Sequence, residues 1–196
     1  MPKIVDHDKQ REKVAEAVWR IILRDGFEGA TVRKIAEEAG ISTGSMRHYF
    51  STQSELFAFS MKLVSQRVKQ RIELVRFTGD PRLDLQTILL ELLPMDADKS
   101  AEMEVWIVFY IKALSDSSLH SLGREIYLEM KKSFTFMIDT LIQHGIAKKD
   151  LNRDEAIEIL FALVDGLALH GIMQPDLVTP EILKRTIAHH IESICR

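Results

Sequence analysis

Residues 26–50 read Gly-Phe-Glu-Gly-Ala-Thr-Val-Arg-Lys-Ile-Ala-Glu-Glu-Ala-Gly-Ile-Ser-Thr-Gly-Ser-Met-Arg-His-Tyr-Phe. Thr31 sits where an N-cap belongs, before a short apolar-periodic run that Gly40 ends. Ser42 then stands as the cap of a second short run through Tyr49. The pattern is helix, glycine turn, helix, with each helix only two turns long. Helices that short do not persist alone, so both must pack on a neighbour. Ile35, Ala36, Ala39, Ile41, Met46 and Phe50 form the inward set, and the alanines permit close approach.

The neighbour precedes them. Over residues 8–24, Val14, Ala17, Val18, Ile21 and Ile22 fall three and four apart on one helical face, and Gly26 stands at the C-terminal stop. With these inward sets assigned, Thr43, Gly44, Ser45, Arg47, His48 and Tyr49 are left outward on the second short helix. That surface is small, polar and aromatic, and it contains no acid. A helix of this kind fits the major groove and can reach base edges or phosphates. Gly44 would let the backbone come close, while Thr31, Arg33 and the free N–H groups of the helix starting near Val32 could meet a phosphate. A helical hairpin that binds nothing fits the same spacing.

Downstream, Thr52-Gln53-Ser54-Glu55 reads as a capping box opening a long helix to about Phe77. Thr78-Gly79-Asp80-Pro81 follows as a hinge, with aspartate as cap and proline in the first helical position. Helices are expected at 83–93, 102–114, 119–144, 154–173 and 180–195, the last with Leu183, Ile187, Ile191 and Ile194 on one stripe. The fold class is all-α, with about nine helices. The expected domains are 1–52 for the helix-turn-helix, 53–77 for a linking helix and 78–196 for the remainder.

Composition agrees with a globular chain: 196 residues, 46% hydrophobic and 28% charged, which excludes disordered and collagen-like classes. One cysteine, Cys195, cannot form an internal disulfide. No apolar run approaches the ~20 residues of a membrane span, and the first residues turn charged too early for a secretory signal; a cytoplasmic protein is expected. Charge is split unevenly. Residues 1–77 carry 14 Lys/Arg against 10 Asp/Glu, and residues 78–196 carry 12 against 19. A basic head on an acidic body points the head toward a polyanion.

Residues 26–50 resemble the DNA-binding motif of the TetR family of bacterial repressors, G-F-x-x-x-T-[VIL]-x-x-I-A-x-x-A-G-[VI]-S-x-G-x-[LM]-x-x-[YH]-F, and the resemblance extends over the chain's length and helix order. It implies a DNA-binding domain, a ligand-binding body and a homodimer that leaves a palindromic operator when a small-molecule effector binds. Tyr49 would contact phosphate, Thr43, Ser45 and His48 would face bases or phosphates, and Thr31 and Arg33 would anchor the backbone. Two positions depart from the usual form: Arg47 stands where Tyr is common, and Gln53 where Lys is common. The family's dimer is a four-helix bundle of the last two helices, which places the expected interface at Phe161, Leu183, Ile187, Ile191 and Ile194.

Candidate effector contacts are Met103, Trp106 and Tyr110, then Phe134 and Met137, then Phe161 and Asp165. Stripes like these also build ordinary cores. Asp165 interrupts an apolar run, and a buried carboxylate needs a partner. An aromatic pair facing it would suit a cation such as a quaternary ammonium, and the C-terminal half loosely resembles the choline-responsive branch. Nothing calls for a cofactor or metal: H-E-x-x-H, G-x-S-x-G, a phosphate-binding glycine loop and cysteine pairs are all missing. A helical scaffold without DNA binding is the rival reading, and salt-dependent binding to duplex DNA separates the two.

Overall fold

The structure is a computed structural model that describes residues 7–114 and 116–196, leaving aside the side chains of Ser117 and Ser118. Most of the charged N-terminal run read above, residues 1–6, lies outside the described residues. The described chain is α1 His7–Asp25, a 3-10 turn Phe27–Gly29, α2 Val32–Glu38, α3 Thr43–Tyr49, α4 Gln53–Glu73, α5 Pro81–Leu90, α6 Ala97–Ala113, α7 Ser117–Gln143, α8 Arg153–Met173 and α9 Pro180–Ile194. The all-α class is as expected, with nine α-helices among the described residues.

Local sequence chemistry accounts for the boundaries. The Thr31 hydroxyl accepts the Lys34 N–H at 3.4 Å, and the Ser42 hydroxyl accepts that of Ser45 at 3.0 Å. Asp80 caps α5 through the Arg82 N–H, with Pro81 in the first turn. Gly26 and Gly40 adopt φ of 75° and 69°, which a side chain would strain. Three boundaries differ from expectation by three residues or more. α4 stops at Glu73, four residues early. α5 stops at Leu90, before Pro94 is reached. α6 begins at Ala97 because Asp96 takes the Lys99 N–H at 2.9 Å. Within the 78–81 segment and the start of α5, Asp84 accepts N–H bonds from Thr78 and Gly79 and a bond from the Thr78 hydroxyl, which hold its carboxyl below the usual range.

The chain divides into two compact units. The first comprises residues 1–67 and 104–122, the second 68–103 and 123–196, so α4, α6 and α7 contribute residues to both. In the first unit α1 packs on α2 and α3, burying Val14, Val18, Ile21, Ile35, Ala36 and Met46. Trp19 donates to the Ser60 carbonyl at 3.2 Å, tying α1 to α4. The rings of Phe27, Phe57 and Phe109 form a triad with centroids 4.7–5.7 Å apart. In the second unit α5 and α8 pack on α9 around Leu89, Leu93, Ile138, Leu160 and Val164. Arg71, Glu91, Lys99 and Glu102 knit α4, the end of α5 and α6 through ion pairs of 2.8–3.0 Å.

α8 corrects one expectation. By length and composition alone it could cross a membrane, with a mean hydropathy of 1.8 over its most apolar stretch. The reason is that it is apolar on two sides. Leu160, Phe161, Val164 and Ala168 face the core, while Ile159, Leu169 and Met173 remain in solvent at 54%, 38% and 62% exposure.

Candidate functional site

Two braces hold the α2–α3 pair. On the outside, Arg20 and Arg24 of α1 bridge to Glu38 of α2 at 2.7 and 3.1 Å, and Lys34 bridges to Asp25 at 3.0 Å. Arg20 and then Arg24 hold the Glu38 carboxyl below its ordinary range, and Arg24 and Lys34 do the same for Asp25. These acids are therefore neutralised within the unit. Below, Gln53 donates from Nε2 to the Ala30 carbonyl at 2.8 Å. That bond engages the Gln53 side chain in supporting the residue just before the Thr31 cap.

The expected α3 surface comes together on one helix. Thr43, Gly44, Arg47 and His48 are exposed. Ser45 and Tyr49 are half-buried. Ser42 donates to Ser45 Oγ at 3.0 Å, so the Ser45 hydroxyl proton is free to point outward. A Cβ at Gly44 would meet only Ser42 Oγ, at 3.7 Å. Packing within the domain therefore does not require glycine there. Thr31 and Arg33 are exposed at the start of α2. A two-turn helix whose exposed Arg47 has no acid partner among the described residues, carried on a braced scaffold, has the form of a helix-turn-helix reading surface.

The effector candidates are divided between the two units. Trp106, half-buried, and Tyr110, exposed, belong to the first unit; Met103, Phe134, Met137, Phe161 and Asp165 belong to the second. Phe134, Met137 and Phe161 are closed in the core, and Met103 packs against it. Phe161 is stacked between Phe134 and Tyr127, with centroids 4.7 and 5.2 Å away. Tyr127 was missed from sequence, although it lies seven residues before Phe134 on the same helix. Asp165 differs from expectation, since solvent reaches it in the single chain. Crowding protein around it still raises its carboxyl to about 6, through desolvation.

The expected interface also reads differently. Leu183, Ile187, Ile191 and Ile194 are 0–7% exposed and Phe161 is 5% exposed, all within the core of their own chain. The stripe of α9 is covered by α5 and α8, so it does not offer a surface to a second copy. Apolar surface left open in the second unit lies on α8, at Ile159, Leu169 and Met173, and on α7, at Leu128, Phe136 and Ile142.

Architecture and surface together define a DNA-binding transcriptional regulator of the helix-turn-helix class. Family comparison gives the rest. Residues 15–58 match the bacterial regulatory proteins of the tetR family, and residues 81–196 match the C-terminal part of BetI-type transcriptional repressors. The chain is 43% identical to the HTH-type transcriptional regulator PksA of Bacillus subtilis (strain 168), covering 100% of this chain and 94% of that protein. It is 27% identical to the regulator BetI of Stenotrophomonas maltophilia (strain R551-3), covering 87% and 85%. A crystal structure of a transcriptional regulator from Rhodococcus sp. Rha1 superposes with a TM-score of 0.81 at 33% identity, covering 94% and 95%. A regulator from Saccharomonospora viridis, solved in complex with choline, gives 0.81 at 21% identity, covering 96% and 99%. The chain belongs to the TetR family of transcriptional regulators.

Proposed function

We propose that the protein is a homodimeric repressor that releases a near-palindromic operator when a small molecule binds its C-terminal body. The observation that carries the DNA half is the outer face of α3, where Arg47 and His48 stand exposed with Thr43 and Gly44 while nearby Glu38 is paired to Arg20 and Arg24. Two such helices on a twofold axis enter successive major grooves ~34–36 Å apart. The effector acts by differential affinity, so DNA weakens effector binding by the same factor as the effector weakens DNA binding.

The test is selection of genomic fragments by the purified protein at ~150 mM salt, repeated at higher salt, because phosphate contacts show as a log–log slope of roughly −0.9 each. Enrichment of one palindromic site is expected, with Tyr49→Ala and Arg47→Ala weakening it while the fold is kept. A folded, ligand-free protein that enriches nothing would leave the helical-scaffold reading.

For the dimer, the outer side of α8 replaces the α9 stripe as the proposed contact. For the effector, a cation is supported by Asp165, a carboxylate with a raised pKa that lies one helical turn from Phe161, the ring on which Tyr127 stacks. The choline complex of the Saccharomonospora viridis regulator is consistent with that chemistry. Calorimetric titration with choline and with tetramethylammonium is expected to show binding that Asp165→Asn abolishes. Equal binding by the variant would refute the role of Asp165.

A further inference from the structure

α1 carries two side chains that reach the exit of the reading helix and that no DNA-contact assignment includes. His7 and Arg11 are four residues apart, hence on one face of the first two turns of α1. The His7 ring lies 5.1 Å from the Tyr49 ring, tilted by 46°. The Arg11 guanidinium lies 4.6 Å from the centroids of both Phe50 and Phe59. Its Nη2 pairs with Glu55 at 3.2 Å, and its Nε is buried with no hydrogen-bond partner among the described residues, so the two rings add to the support that Glu55 gives. Glu55 uses its other oxygen to accept the Ser51 N–H at 2.9 Å. Tyr49 and Phe50 are the last residue of α3 and the one after it, so every one of these contacts bears on where α3 ends.

We infer that His7 and Arg11 are positioning residues for operator recognition, acting as a two-point clamp that sets the direction of Tyr49 and the end of α3 without touching DNA. The sequence hides this, because α1 reads as a scaffold helix and no local pattern links residue 7 to residue 49. Physically, α3 has two turns and one buried residue, Met46. A helix that short cannot set the direction of its own last side chain, so its orientation has to be imposed from outside. A tilted aromatic pair supplies a defined angle as well as contact area. Arginine between two rings adds stacking that lysine cannot reproduce.

The proposal rests on the DNA-contact reading of Tyr49, and the test separates the two. The probe is the duplex recovered by genomic selection, bound by the full-length protein at several salt concentrations. His7 is exposed, so His7→Ala folds; Arg11→Lys keeps the charge and removes the planar stack. Each is expected to weaken binding by about three- to tenfold, the range of one aromatic contact, with the salt slope unchanged. In a Tyr49→Ala background, His7→Ala should add no further loss, because its effect passes through the missing ring. A salt slope shallower by ~0.9 in His7→Ala would make His7 itself a phosphate contact and overturn the clamp. Additive losses, or no loss in either variant while Tyr49→Ala weakens binding, would overturn it as well. If Tyr49→Ala binds normally, the contact reading beneath the proposal fails too.

Discussion

Replacing Ile159 by glutamate tests where the dimer forms. Ile159 keeps 54% of its surface in solvent, roughly 100 Å², and covering that area contributes about 2.5 kcal/mol at ~25 cal/mol per Å². A twofold axis repeats the residue, so Ile159→Glu removes about 5 kcal/mol of association energy before the cost of desolvating two carboxylates. At ~1.4 kcal/mol per tenfold, the dimer dissociation constant should rise by more than ~1000-fold. The chain itself should still fold, because more than half of the side chain already stands in solvent. Ile187→Glu is the contrast: at 0% exposure it places a charge in the core and should cost more than ~4 kcal/mol of stability. Sedimentation equilibrium reads the first effect and urea denaturation the second. A wild-type dimer constant for Ile159→Glu would refute the α8 interface. A folded, monomeric Ile187→Glu would restore the α9 stripe in its place.

Gly44→Ala should leave the fold intact or raise its stability by about 1 kcal/mol, since the site is open and helical, yet weaken operator binding if DNA backbone approaches there; unchanged affinity would remove Gly44 from the interface. Gly171→Ala should destabilise by about 1–3 kcal/mol, because the new Cβ would lie 2.7 Å from Pro94 Cγ, a ring atom that cannot swing away; a stability equal to wild type in thermal melts would show that the contact relaxes. Burial pushes the Asp165 carboxyl up from its ordinary 3.8 to about 6, so the native state holds that proton more tightly. Its contribution to stability should fall as pH rises from about 4 to about 6 and stay flat above, by no more than about 1 kcal/mol given its solvent access. Urea titrations should show the decline in wild type and its loss in Asp165→Asn; identical profiles would remove Asp165 as the cause.

Much of this protein could be read locally. A cap is a hydroxyl and an N–H three residues apart, so Thr31 and Ser42 announce α2 and α3 without knowledge of the rest. The glycine at 26 has a positive φ because of its own turn. The helix-turn-helix is thus determined within 25 residues, and its outward set follows once the inward set is assigned. α4 and α6 were misjudged at their ends, since Asp96 was not recognised as a cap and nothing in residues 74–77 forbids another helical turn.

What only the tertiary structure decided is which face covers which. Periodicity shows that the stripe of Leu183, Ile187 and Ile191 must be buried, but burial against α5 and α8 and burial against a second copy leave the same pattern. α8 held a clue, being apolar on two sides where one core face would suffice. The remaining surprises are long-range: Gln53 on the Ala30 carbonyl, Tyr127 on Phe161, and His7 on Tyr49 join residues 23, 34 and 42 positions apart. A sequence records helix faces residue by residue because backbone geometry is local. It does not record which faces meet, because that is settled by packing free energy summed over the whole chain.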